Sequence, residues 1–190
     1  KKETPAQVEF VDLAGLSRDA SKGAGLGNGF LSFAAEADAL IHVLRGFANG
    51  GVEHPEGSLD VHRDWKIVEM ELIYRDLSVI ENRLSRLNGK KKLLPEEEGE
   101  KALLLRCQDC LMEERSLRDL ALAPEEARML RGFTFLSAKP QILVLNLDEG
   151  QKGAADAPGG EALLRDAAAA GIRVLSLYGR LEMDLADLSP

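Results

Sequence analysis

Phe10-Val11-Asp12-Leu13-Ala14-Gly15-Leu16, followed by Ala20-Ser21-Lys22-Gly23-Ala24-Gly25-Leu26-Gly27-Asn28, is the stretch on which the reading of this chain turns. An apolar run, Gln7 to Asp12, reads as a β-strand that ends on a carboxylate. Open α/β sheets bind ligands at the carboxyl ends of their strands, so Asp12 is placed for chemistry, and Gly15 leaves a backbone amide free to meet a phosphate oxygen. The glycines that follow fit neither of two common nucleotide loops. Gly23-x-Gly25-x-x-Asn28 lacks the third glycine of a dinucleotide fingerprint, and no Gly-x-x-x-x-Gly-Lys-Ser/Thr occurs in the chain. What remains for Gly23, Gly25 and Gly27 is a hinge that reorganises around a ligand.

Outward from this stretch, Ala39–Leu44, Gln141–Asn146 and Ile172–Leu177 read as further strands, giving four. Their nearly unbroken apolar character predicts a parallel sheet covered by helices on both faces, an α/β fold. Helices are expected over Asn28–Ala37, Gly160–Ala170 and Leu181–Leu188, with a mobile loop over Gly150–Gly160. Between the second and third strands the pattern changes. Met70, Ile73, Leu77, Ile80, Leu84 and Leu87 recur at spacings of three and four, Asn88-Gly89 breaks the run, and Leu104, Cys107 and Leu111 resume it after Pro95. This predicts an antiparallel coiled-coil hairpin. A third helix is expected from Pro124-Glu125-Glu126 to Lys139-Pro140, where proline suits the first turn and the acids suit the helix dipole. The chain thus divides into 1–62, a helical insertion over 63–122, and 123–190.

The chain has 190 residues and a formal charge of −8, which disfavours indiscriminate binding to nucleic acid. No apolar run is long enough to span a membrane and no secretory signal opens the sequence, so no membrane partner is expected. Two cysteines, Cys107 and Cys110, build no disulfide framework, and a cytoplasmic setting follows. Core packing accounts for Cys107 without metal or redox chemistry. His42, inside an apolar strand, reads as a satisfied core residue, and His62 as a surface residue near a helix start.

The quoted stretch resembles the switch II region of the YchF-type Obg-like ATPases, a branch of the Obg family of P-loop GTPases. Val52-Glu53-His54-Pro55-Glu56-Gly57, Lys139-Pro140 with Asn146-Leu147-Asp148-Glu149, and Leu181-Glu182-Met183-Asp184-Leu185 continue that resemblance over nearly the whole chain. It implies a partial G-domain sheet with the helical hairpin inserted. Asp12 would hold Mg²⁺ through water, and the Gly15 amide would sense a γ-phosphate and couple hydrolysis to the order of Ser17 to Asn28, with Leu16, Gly23, Gly25 and Gly27 as residues of switch II. Leu16 stands where many relatives carry a water-positioning glutamine, which leucine cannot replace. His54 is the candidate for that catalytic role, against the alternative of an exposed loop histidine. Asn146, Leu147 and Glu149 would contact the purine, and the Gly179 amide would complete the site. The change from the usual Asn-Lys-x-Asp to Asn-Leu-Asp-Glu implies ATP in preference to GTP.

In that family the phosphate-binding loop and the first strand precede the equivalent of Gln7, and a small TGS-like domain follows the equivalent of Pro190. The 190 residues are therefore expected to be a fragment that neither binds nor hydrolyses nucleotide appreciably by itself, with sheet edges left to meet each other or to recruit another chain as an oligomer. Two functions stand side by side. One is part of a ribosome-associated NTPase using Mg²⁺ and ATP or GTP. The other is a nucleotide-independent interaction module in which Lys90, Lys91 and Lys92, at the hairpin tip, contact RNA phosphates or the ribosome.

Overall fold

The protein is described from a computed structural model, which places residues 7–12, 33–49 and 51–188. Three strands, β1 (Leu40–Arg45), β2 (Gln141–Asn146) and β3 (Arg173–Leu177), form one parallel sheet in the order β1-β2-β3. The register sets Arg45 opposite Asn146 and Asn146 opposite Leu177, so all three strands finish on one rim.

Parallel neighbours need long crossovers, and helices supply them. Between β1 and β2 run α1 (Val61–Asn88), α2 (Pro95–Met112) and α3 (Pro124–Leu130); α4 (Gly160–Ala169) joins β2 to β3, and α5 (Gly179–Asp187) follows β3. Leu44, Leu143 and Leu145 of the sheet pack with Val61 and Trp65 of α1 and with Leu163 and Ala167 of α4. Asp60 starts α1: one carboxylate oxygen accepts from the His62 and Arg63 amides at 3.1 and 3.0 Å. Ile73, Ile80, Leu84 and Leu87 of α1 share an apolar cluster with Leu103, Leu104, Cys107 and Leu111 of α2. Arg83 clamps Glu100 through two bonds of 2.6 and 2.8 Å, and Lys90 meets Glu97, so the two helices run in opposite directions. Among the described residues no helix is long and apolar enough to cross a membrane.

Four expectations need correction. Gln7–Asp12 belongs to no strand, and Val8, Phe10 and Val11 are exposed. A strand exists through its ladder of hydrogen bonds, and among the described residues none lies beside this segment or beside the outer edge of β1. Among the described residues, helices cover the sheet on one face only. Its helices α1 and α4 join the face of Leu44, Leu143 and Leu145, while Ile41, Val43, Leu175 and Leu177 on the opposite face remain exposed among the described residues.

The helix begun at Pro124 stops at Leu130, not Lys139. A short 3₁₀ turn follows, Thr134 takes a left-handed φ of 49°, and the chain is then drawn toward buried Asp76, which accepts from the Leu136 amide at 2.9 Å and from the Ser137 amide and hydroxyl at 2.7 Å each. Gly150–Gly160 is a fixed structure, not a mobile loop. Ala154 and Ala157 are buried against the sheet, Pro158 O accepts from the Val61 amide at 2.9 Å, and a Cβ on Gly160 would lie 1.9 Å from Ala154 O.

Candidate nucleotide-binding rim

The carboxyl ends of β1 and β2 are sewn together by the loops that leave them. At the end of β2, the Asn146 carbonyl accepts from the Gly46 amide at 2.8 Å, and the Gly46 carbonyl accepts from Gln151 Nε2 at 2.9 Å. The Asn146 side chain spans to the next loop, its Oδ1 accepting from the Gly179 amide at 3.0 Å. A Cβ on residue 179 would sit only 3.0 Å from that oxygen, which explains a glycine at the first position of α5. Leu147 donates its amide to Leu177 O at 2.8 Å and buries its side chain among Leu44, Leu145 and Ala157. Asp148 and Glu149 then turn outward; Gln151 Oε1 accepts from the Asp148 amide at 2.7 Å, and the Glu149 amide donates to Asp148 Oδ1 at 3.0 Å. The Tyr178 hydroxyl closes the rim on Gln151 O at 3.0 Å. The arrangement brings Asn146, Leu147, Glu149 and Gly179 to one side of the sheet, with the Glu149 carboxylate exposed, the Leu147 side chain in the core and the Gly179 amide already engaged by Asn146 Oδ1.

The loop carrying His54 leaves the same rim from β1. Arg45 organises its start, donating to the carbonyls of Phe47, Asn49 and Val52 at 3.1, 3.2 and 3.1 Å while lying over the Phe47 ring. His54 is no exposed loop residue. Its Nδ1 accepts from the Glu56 amide at 3.2 Å, and its Nε2 lies 3.0 Å from Asp64 Oδ2 on the first turns of α1.

Asp12 ends the exposed segment Gln7–Asp12. Gly15, Leu16, Gly23, Gly25 and Gly27 lie outside the described residues. Among the described residues no group of histidine, cysteine and carboxylate side chains is assembled to hold a metal. Lys90 is engaged by Glu97, whereas Lys91 and Lys92 are exposed at the turn between α1 and α2.

Cys107 and Cys110 are buried free thiols, and burial pushes the Cys107 thiol up to about 11, as packing residues require. His42 is not satisfied: its Nδ1 has no hydrogen-bond partner, and burial lowers its pKa to about 4 against the opposing pull of Glu69 and Asp64. His62 bridges α1 to α4, its Nε2 2.8 Å from Asp166 Oδ2, and that hydrogen bond holds the Asp166 carboxyl below its ordinary value. Sequence reasoning passed over Arg45, Gly46, Gln151 and Asp64, none of which stands in a recognisable motif.

An open parallel α/β sheet whose loops converge at the carboxyl rim belongs to the class of folds that bind ligands there. No family model matches the chain, but individual proteins do. It is 31% identical over 192 residues to the ribosome-binding ATPase YchF of Bacillus subtilis (strain 168), covering 99% of this chain and 52% of that protein. It is 35% identical over 185 residues to the ribosome-binding ATPase YchF of Escherichia coli O157:H7, covering 97% and 50%, and 37% identical over 154 residues to Obg-like ATPase 1 of Caenorhabditis elegans, covering 77% and 38%. The solved structure of the Schizosaccharomyces pombe YchF GTPase superposes with a TM-score of 0.72 at 24% identity, over 87% of this chain and 45% of that one. The chain therefore belongs to the YchF-type Obg-like ATPase family, and it spans about half the length of the curated relatives it matches.

Proposed function

We propose that these residues form the base-side part of a YchF-type nucleotide site, in a cytoplasmic protein that hydrolyses ATP and associates with the ribosome. The observation that supports this most directly is the bond between Asn146 Oδ1 and the Gly179 amide, which fixes two loops of the rim against each other beside the exposed Glu149. Asn146 and Glu149 supply acceptors for the exocyclic amino group of adenine, and the Glu149 carboxylate replaces the shorter aspartate that a guanine pair requires. In the bound state Mg²⁺ and ATP would add the phosphate chemistry, with Asp12 as a water-mediated metal contact, Gly15 as a phosphate contact and Ser17 to Asn28 as the responsive segment. His54 supplies the group that positions the attacking water. The division of the chain at residues 62 and 122, with α1 and α2 as a coiled-coil insertion in the nucleotide domain, belongs to the same reading.

The 190 residues contain no glycine-lysine phosphate loop, so most of the grip on β- and γ-phosphates has to come from elsewhere. Calorimetric titration tests this: the chain alone is expected to show no micromolar binding of ATP·Mg²⁺, and micromolar binding would refute the claim that the phosphate grip has to come from elsewhere. When the chain is joined to a phosphate-binding loop, Glu149→Ala should weaken ATP binding about tenfold, and unchanged affinity would remove Glu149 from the site.

A second reading is favoured by the exposed pair Lys91 and Lys92 at the turn of the two long helices. This end of the helix pair would meet ribosomal RNA phosphates, independently of nucleotide.

A further inference from the structure

We propose that Asp64 is a positioning residue that stores His54 away from the reacting water until a ligand competes for it. The inference deepens the reading of His54 given above and rests on it. Both imidazole nitrogens are already committed: Nδ1 accepts the Glu56 amide at 3.2 Å, which leaves the proton on Nε2, where it donates to Asp64 Oδ2 at 3.0 Å. With 11% of the His54 side chain and 16% of the Asp64 side chain exposed, neither group has ready exchange partners in solvent. A histidine held this way can neither accept a proton from water nor donate to it. To act on a substrate it has to leave Asp64.

The neighbouring contacts make that departure inexpensive. Arg63 donates through Nε and Nη2 to the other carboxylate oxygen, Asp64 Oδ1, at 3.0 and 2.8 Å, and is itself fixed to the Ser58 hydroxyl and carbonyl at 2.8 and 2.6 Å. When His54 moves, Asp64 keeps a two-donor partner and no bare carboxylate is left behind. The start of the loop remains anchored, because Arg45 holds Phe47, Asn49 and Val52 by their carbonyls. His54 can therefore swing while the two ends of its loop, at Val52 and Ser58, stay in place. Asp64 thus keeps its Arg63 contact at Oδ1 whether or not the histidine occupies Oδ2.

Nitrogen-15 NMR of the imidazole in the 190-residue chain, without nucleotide, tests the storage. The wild-type His54 should give the Nε2–H tautomer with a slowly exchanging ring proton. Asp64→Asn should lose that protection and speed exchange of the Glu56 and Gly57 amides about tenfold, whereas Arg63→Gln should leave the imidazole signals in place. Identical His54 spectra in wild type and Asp64→Asn would overturn the proposal. The functional half is read on ATP hydrolysis in the chain joined to a phosphate-binding loop: Asp64→Asn should raise the basal rate about threefold, and a fall would assign Asp64 an orienting role in place of storage. If His54→Ala leaves hydrolysis unchanged while the NMR result holds, the catalytic reading of His54 fails and the His54–Asp64 contact stands as a structural one.

Discussion

Asp76, fully buried in the middle of α1, is the acceptor for the amides of Leu136 and Ser137, sixty positions further along the chain. The Ser137 hydroxyl and Arg75 Nη1 complete its shell at 2.7 and 3.0 Å. The bond set ties the long helix to the segment that leads into β2, and so it holds the rim's supporting strand in register with the helix pair.

Asp76→Ala leaves two buried amides without acceptors and Arg75 without its carboxylate. Removing one side of a buried charged network costs about 3 to 5 kcal/mol, so the urea midpoint should fall sharply. Asp76→Asn keeps one carbonyl acceptor and should lose about half as much. A midpoint for Asp76→Ala within error of wild type would show that the segment finds other partners.

His42 makes stability depend on pH in a defined window. Its folded pKa of about 4 lies below the ordinary 6.5 because burial disfavours the imidazolium, with Glu69 and Asp64 opposing. Above pH 6.5 the ring is neutral in both states and contributes nothing to the dependence. Between 6.5 and 4 the unfolded chain binds the proton that the folded chain refuses, so stability falls with falling pH, by about 3 kcal/mol once pH 4 is reached. His42→Gln should remove this slope. The measurement is the difference between the two stability curves, which cancels the carboxylates common to both; a difference flat across the window would contradict the buried neutral ring.

The sequence made some of this architecture readable and hid the rest for identifiable reasons. Gln141–Asn146 was legible residue for residue because a central parallel strand is apolar on both faces. Pro95 and Asn88-Gly89 marked helix ends through local backbone chemistry that needs no partner. Gln7–Asp12 has equally good strand composition, yet composition cannot supply the neighbour that a ladder requires. Gly159 and Gly160 suggested mobility, but they are glycines because Asp60 and Ala154 O crowd them. At the rim, Asn146 and Gly179 could be picked out by motif and resemblance. Asp64 and Gln151 could not, because their partners are set only when the loops fold back.

The proposed RNA contact carries a quantitative signature. Lys90 is paired with Glu97 and Arg83 with Glu100, which leaves Lys91 and Lys92 as the exposed lysines of the turn outside any ion pair among the described residues. Two phosphate contacts correspond to a change of about 1.5 in the slope of log affinity against log salt. The double variant Lys91→Ala/Lys92→Ala should lower the salt slope of ribosome binding by that amount, while Lys90→Ala should change it little. An unchanged slope in the double variant would exclude this turn as the contact.

The bond from the Gly179 amide to Asn146 Oδ1 predicts how the rim responds when its central side chain is altered. A backbone N–H at the first position of a helix lacks an intrahelical acceptor, and here a side chain from the neighbouring strand supplies one. Asn146→Ala should therefore cost about 1 kcal/mol and raise the exchange rate of the Gly179 amide roughly fivefold, while Asn146→Asp, which retains the oxygen, should leave that amide protected. Gly179→Ala attacks the same contact from the other side, because its Cβ would lie 3.0 Å from Asn146 Oδ1 and 3.2 Å from Nδ2. That substitution should displace the Asn146 side chain without unfolding the sheet. Amide exchange by NMR separates the outcomes: if residue 179 is equally protected in Asn146→Ala and wild type, Asn146 does not hold the last loop, and its place at the rim has to be explained by ligand contact alone.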